Sequence, residues 1–217
     1  MKLIDVPHYN QAGRSDCQAA CAAMVMDYWL GRDNDGGAER IKRLLESFAL
    51  GFRPESGAIP PAITGLVAKA IAKNGFTINF YSANADGGGI EGLRFLIEGW
   101  GFTEQDVVNY AEKAQTELRD ASQVGLTIHE NRISEIDVDT AIAAGHPVVA
   151  IVNLKALKNW RNDANHAVVV TGIDQNEIAI HDPADEKAHR VYDRKAFFAA
   201  HWREETDYDA YVITSKE

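Results

Sequence analysis

From Ala19 to Leu30 the chain reads AACAAMVMDYWL, a stretch in which Asp27 is the only charged residue. A helix with one apolar stripe rests on a core, whereas a helix that is apolar nearly all round has to be enclosed by one. The preceding Ser15-Asp16-Cys17-Gln18 fits a capping box, in which the Ser15 hydroxyl accepts from the amide three residues on while Gln18 reaches back. Cys17 then falls in the first turn, and Gly31 stops the helix. The expected fold is therefore assembled around one central helix that carries a thiol at its N-terminal end.

The elements around it follow from periodicity. Ile41, Leu44, Leu45 and Phe48 recur at helical spacing and predict a helix over about 38–50, ended by Gly51. Another helix is expected from Pro60-Pro61 to Asn74-Gly75, with Ile63, Leu66, Val67, Ala70 and Ile71 on its apolar side. Phe76 to Phe80 alternates as a half-buried strand, residues 90–121 read as two helices joined near Gly101, and Leu126 to Ile128 is a short strand. The last third changes character. After a short helix (Asp139 to Ala144, stopped by Gly145) come the apolar runs PVVAIVNL, HAVVVTGI and EIAIHD, with Asp174-Gln175-Asn176 as a hairpin turn. Arg190 to Tyr192, a helix over Lys195 to His201 and a strand over Ala210 to Ile213 close the chain. Helices first and antiparallel strands last define an α+β protein. We expect one domain over 1–217, with a helical lobe at about 1–135, a β-rich lobe at about 136–217 and a cleft between them.

Charge narrows the partners. The chain has 32 acidic and 22 basic side chains, a formal charge of −10, which repels phosphate backbones and anionic lipid. Neither nucleic acid nor a membrane surface is an expected partner. No stretch approaches the roughly 20 apolar residues of a membrane span, and the N-terminus lacks a signal-peptide core, so a cytoplasmic location is expected. The run Asp86-Gly87-Gly88-Gly89 is followed by no Lys-Ser or Lys-Thr and is not a phosphate cradle. His181, Asp185 and His189 lack a recognised ligand spacing, so no metal and no cofactor are assigned.

Cys17 and Cys21 are the two cysteines, and four residues apart on one helix they are poorly placed for a disulfide. A free cysteine most often sits in a core as a small hydrophobe, and Cys21, among alanines and Met24, fits that place. Cys17 differs, because free amides and the helix dipole at an N-terminus favour the thiolate, which is the nucleophilic form. His166 heads the strand HAVVVTGI directly after a polar loop, where its ring can project into a cleft. A thiol enzyme also needs an acceptor to hold the far side of the imidazole, and Asp182, ending the next apolar run, is placed to be that acceptor. As part of Asp182-Pro183 it also reads as a turn signal.

QAGRSDCQAACAAM, followed by GHPVVAIVN, HAVVVTGID and HDPA, resembles the bacteriocin-processing cysteine peptidases and their stand-alone relatives. The resemblance covers roughly residues 4–30 and 138–214 and implies a papain-like fold with a central helix packed on an antiparallel sheet. It also implies Cys17 as nucleophile, His166 as general base, Asp182 as orienting residue and Gln11, six residues before the cysteine, as an oxyanion-hole donor. Gln18 departs from the family, which usually has glycine after the cysteine, and segment 84–135 does not align; it would serve as a lid or binding surface. The expected function is a cysteine hydrolase that cuts a peptide or other amide through a thioester on Cys17. An acyltransferase using the same residues and a non-catalytic peptide-binding module are the alternatives.

Overall fold

In a computed structural model of the chain, residues 1–11, 17–32, 37–48, 61–159, 161 and 164–216 are described. The elements are β1 (Lys2–Leu3), α1 (Cys17–Leu30), α2 (Gly37–Phe48), α3 (Thr64–Ala72), β2 (Phe76–Tyr81), α4 (Gly89–Leu93), α5 (Phe95–Trp100) and α6 (Glu104–Leu118). They continue with β3 (Leu126–His129), α7 (Glu135–Ala143), β4 (Val148–Asn153), α8 (Leu154–Lys158), β5 (Asn165–Ile173), β6 (Glu177–His181), β7 (Arg190–Asp193), α9 (Arg194–His201) and β8 (Ala210–Lys216).

Helix α1 is enclosed as its composition demands, with every residue from Gln18 to Asp27 buried. Full burial of a side chain such as Met24 or Val25 stabilises by roughly 1.5–3 kcal/mol, which is what drives a helix lacking a polar face to the centre. Asp27 is tolerated inside because it is paired: Tyr9 donates to its Oδ2 at 2.9 Å and Arg40 forms an ion pair with Oδ1. Ser15 and Asp16 lie outside the described residues, as do Pro60 and Gly51, so the expected cap at Ser15 and those two helix boundaries do too. The Gln18 amide nitrogen is turned toward Ala62 and Thr64, so Gln18 ties α1 to the start of α3.

Among the described residues the strands form one eight-stranded sheet, ordered β3-β2-β8-β4-β5-β6-β7, with β1 paired to the far end of β5. Only β2 and β3 run parallel; the other pairs are antiparallel. Strand β4 is buried at all six positions and β5 from His166 to Gly172, because α1 and α7 pack against both and α9 also covers β4. Burial on both faces explains why these strands appear in the sequence as unbroken apolar runs rather than as alternation. No helix among the described residues is long and apolar enough to cross a membrane.

Several expectations shift in detail. The third helix begins at Thr64, with Ile63 as its extended cap residue. Residues 89–118 form three helices instead of two, with a break at Arg94 and a left-handed Gly101 (φ 71°) before α6. Helix α7 starts four residues earlier than expected, because Ser134 and Asp137 make a reciprocal capping box. Helices α4 to α6 gather a smaller apolar cluster around Leu96, Val107 and Tyr110, which also takes in Ile63 and Leu66 of the α3 region.

Candidate active site

Cys17 is the first residue of α1, half-buried, with the backbone N–H groups of Gln18 and Ala167 bonded to its sulfur. Its thiol is also hydrogen-bonded to the His166 ring. Burial opposes the thiolate, but the hydrogen bond and charge of His166, helped by the two backbone donors, outweigh it and leave the thiol below its usual value. Cys21, one turn on, is fully buried, and burial together with the charges of Cys17 and Asp182 pushes its thiol well up. One thiol is prepared for chemistry and the other is core.

His166 sits near the start of β5, opposite Val152 of β4, and is 6% exposed. Its Nε2 donates to Asp182 Oδ1 at 2.7 Å, which leaves Nδ1 for the thiol. Burial alone would lower its pKa, yet the bonds to Asp182 and Cys17 and their charges overcome this and raise it to about 9. Asp182 follows β6 directly and is fully buried. Although burial works against its charge, His166, Lys158 and the Ala184 amide hold the carboxyl well below the usual carboxylate range. The two readings of Asp182 prove compatible, since Oδ1 also accepts from Ala184 N at 2.8 Å and so shapes the Asp182-Pro183 turn. The structure thus brings Cys17, His166 and Asp182 into one hydrogen-bonded line.

Gln11 is placed differently. Its backbone N–H donates to Pro183 O at 2.8 Å, and the His8 ring is bonded to the Asp182 carbonyl at 3.0 Å, so the N-terminal segment lies along the turn that follows Asp182. Gln11 is half-buried and is not among the described residues that line the cleft at Cys17.

Lys158 escaped sequence reasoning. It ends α8, a five-residue helix in the interval between the apolar run that ends at Leu154 and the polar loop from Asn159, and its ammonium pairs with Asp182 Oδ2. Asn153, whose side chain caps α8 by accepting from Ala156 N at 3.0 Å, was the available signal. The pair gives the second oxygen of a fully buried carboxylate a partner that the histidine cannot supply.

The line opens into a cleft of about 660 Å³, with Cys17 and Gln18 on one side and His166 and Ala167 on the other. Segment 84–135 contributes to its wall through Gly87, Gly92, Leu93, Phe95 and Trp100. This segment therefore borders the cleft as the expected binding surface would.

An α+β papain-like fold with a thiol at the head of its central helix defines a cysteine peptidase-like enzyme. A family model described as the Peptidase_C39 like family matches residues 3–210, and the chain belongs to that family. Among solved structures, a crystal structure from Bacillus anthracis described as a C39-like peptidase matches with a TM-score of 0.50 and 16% identity, covering 100% of this chain and 99% of that one. At that identity the likeness is one of fold. No curated protein matches the chain.

Proposed function

We propose that the protein hydrolyses a peptide or other amide bond through a thioester on Cys17. The line of hydrogen bonds from Cys17 through His166 to Asp182, opening into the cleft, is the observation that supports this reading. The thiolate attacks the carbonyl carbon and forms a C–S bond. The tetrahedral intermediate collapses with cleavage of C–N, and the His166 imidazolium gives its proton to the departing amine. Neutral His166 then takes a proton from water as the water attacks the thioester. Cleavage of C–S releases the carboxylic acid, which gives its remaining proton to solvent, and restores the thiolate–imidazolium pair, with Asp182 holding the ring throughout.

Alkylation with iodoacetamide across pH, read by peptide mass spectrometry, tests the assignment of the nucleophile. Cys17 should label rapidly below pH 7 and slow only as pH falls through its lowered pKa, while Cys21 stays unmodified. Equal labelling of both, or of neither, would remove Cys17 from the role.

Gln11 belongs to the same proposal as the oxyanion donor, which matters once charge develops on the oxygen of the intermediate. Loss of one such donor costs on the order of 10²–10³ in turnover in a studied hydrolase. Gln11→Ala should therefore depress kcat and leave KM nearly unchanged. A normal kcat, or a defect wholly in KM, would assign Gln11 to the turn it makes with Pro183.

A further inference from the structure

Asp209 is a buried acid for which the thioester mechanism has no use. It immediately precedes β8, is 9% exposed and lies in the wall of the cleft that holds Cys17. Ser82 Oγ donates to its Oδ1 at 2.5 Å, and the Thr64 hydroxyl bonds the same carboxyl. Thr64 in turn accepts from Gln18 Nε2 at 2.9 Å. The same Nε2 donates to Ala62 O at 3.2 Å, which settles the orientation of the amide, because only its nitrogen can donate to a carbonyl. Gln18 is the neighbour of Cys17, and its backbone N–H is bonded to the sulfur. An unbroken line of polar contacts therefore runs from the carboxyl to the turn that carries the thiol.

The backbone is constrained at both ends of this line. Asp207 and Tyr208, directly before Asp209, both adopt left-handed conformations, with φ of 51° and 57°. Neither is a glycine, and such conformations persist where the surroundings over-determine them. Asp209 is then clamped by Ile151 N donating to its carbonyl at 2.9 Å and by its own N–H donating to Thr206 O at 3.0 Å. At the other end, a Cβ on Gly65 would stand 2.2 Å from Ala85 O, so the start of α3 is pressed against the chain and Thr64 has little room to move.

We propose that Asp209 is a positioning residue for the nucleophile, holding the first turn of α1 through Thr64 and Gln18. The inference rests on Cys17 being that nucleophile. Since Thr64 receives from Gln18, its own proton points to Asp209, as does that of Ser82. Burial outweighs these two donors and, with repulsion from Asp207, raises the carboxyl to about 8. Around it stand Asp207 in its own turn, the hydroxyls of Thr64 and Ser82 from α3 and the segment after β2, and Cys17 and His166 from α1 and β5 in the shared cleft. Below that pH the carboxyl is neutral. Above it, a negative charge enters the wall of the cleft that holds the thiolate and pulls harder on the hydroxyls that steady Gln18.

Iodoacetate, an anionic alkylating agent, reads this charge directly, and neutral iodoacetamide serves as the control for thiol reactivity. In the wild-type protein the rate of Cys17 carboxymethylation should fall as pH rises through about 8, and in Asp209→Asn this limb should move up toward the loss of the His166 proton at about 9. Thr64→Val should slow labelling about three- to tenfold near neutral pH, the effect of one lost hydrogen bond, and, because it also removes a donor to the carboxylate, move the limb upward. An Asp209→Asn protein with the wild-type limb, or slowed equally at every pH, would overturn the proposal. If circular dichroism shows that Asp209→Asn fails to fold, Ser82→Ala serves in its place. It removes a donor to the carboxylate and so should also shift the limb upward, and an unmoved limb would count equally against the idea. A Cys17 that iodoacetamide labels at no pH would instead remove the nucleophile, and the inference with it.

Discussion

Cys17→Ala is expected to abolish turnover, while Cys21→Ala should give a folded, active protein. Loss of the nucleophile in a studied serine hydrolase costs on the order of 10⁶ in kcat, and no other described residue stands where the Cys17 sulfur meets both His166 and the Gln18 and Ala167 amides. Cys21 is buried in the core of α1 with its thiol held neutral, so trimming it to alanine removes one sulfur atom's packing and should cost about 1 kcal/mol. Hydrolysis rates and melting temperatures of both variants check this together. Activity lost in the Cys21 variant and kept in the Cys17 variant would reverse the two roles.

His166→Ala should be nearly as damaging, by at least about 10⁴ in kcat, because it removes the proposed base and proton donor and the main influence that lowers the thiol. With His166 gone, burial acts on Cys17 with little opposition, so the thiol should rise and iodoacetamide labelling at pH 7 should disappear with the activity. Asp182→Asn should be milder, about tenfold, as a charge-assisted hydrogen bond becomes a neutral one. The imidazolium donates from both nitrogens, and an amide oxygen is enough to receive Nε2.

The sign of the accompanying pH shift follows from the charge that is removed. Asp182 raises His166, so the asparagine variant should lose its imidazolium at lower pH than the wild type's value of about 9. The alkaline limb of kcat should therefore move down. Lys158 would face the new amide instead of a carboxylate, and some loss of thermal stability should accompany the kinetic change. A folded Asp182→Asn enzyme with no activity would mean that Asp182 does more than orient the ring.

Much of the framework was legible because burial writes itself into composition. Helix α1 from Gln18 to Asp27, strand β4 and all but the ends of β5 and β6 are buried, and apolar runs marked all four. The hairpin at Asp174 was legible from its turn residues, and in the structure Asp174 Oδ1 accepts from both Asn176 N and Glu177 N at 3.0 Å. Short elements were not. Helix α8 has five residues, too few for a period to declare itself, and the two-residue β1 exists only because β5 offers it an edge. Helices α4 and α5 merged into one in the sequence because the break at Arg94 has no glycine or proline to announce it.

For the candidate site, the sequence by itself determined which residues have the right chemistry and the right local setting: a cysteine opening a helix, a histidine opening a strand, an aspartate closing one. These are local properties, set by caps, turns and periodicity within a few residues. Only the tertiary structure decided which distant groups meet them. Lys158 on Asp182, the Gln11 amide on Pro183, and the path from Gln18 through Thr64 to Asp209 join segments that are remote along the chain. No local pattern encodes such meetings. They depend on how β4, β5, β6 and β8 are ordered in the sheet, and on where α1 and α3 come to rest against it, as the core closes.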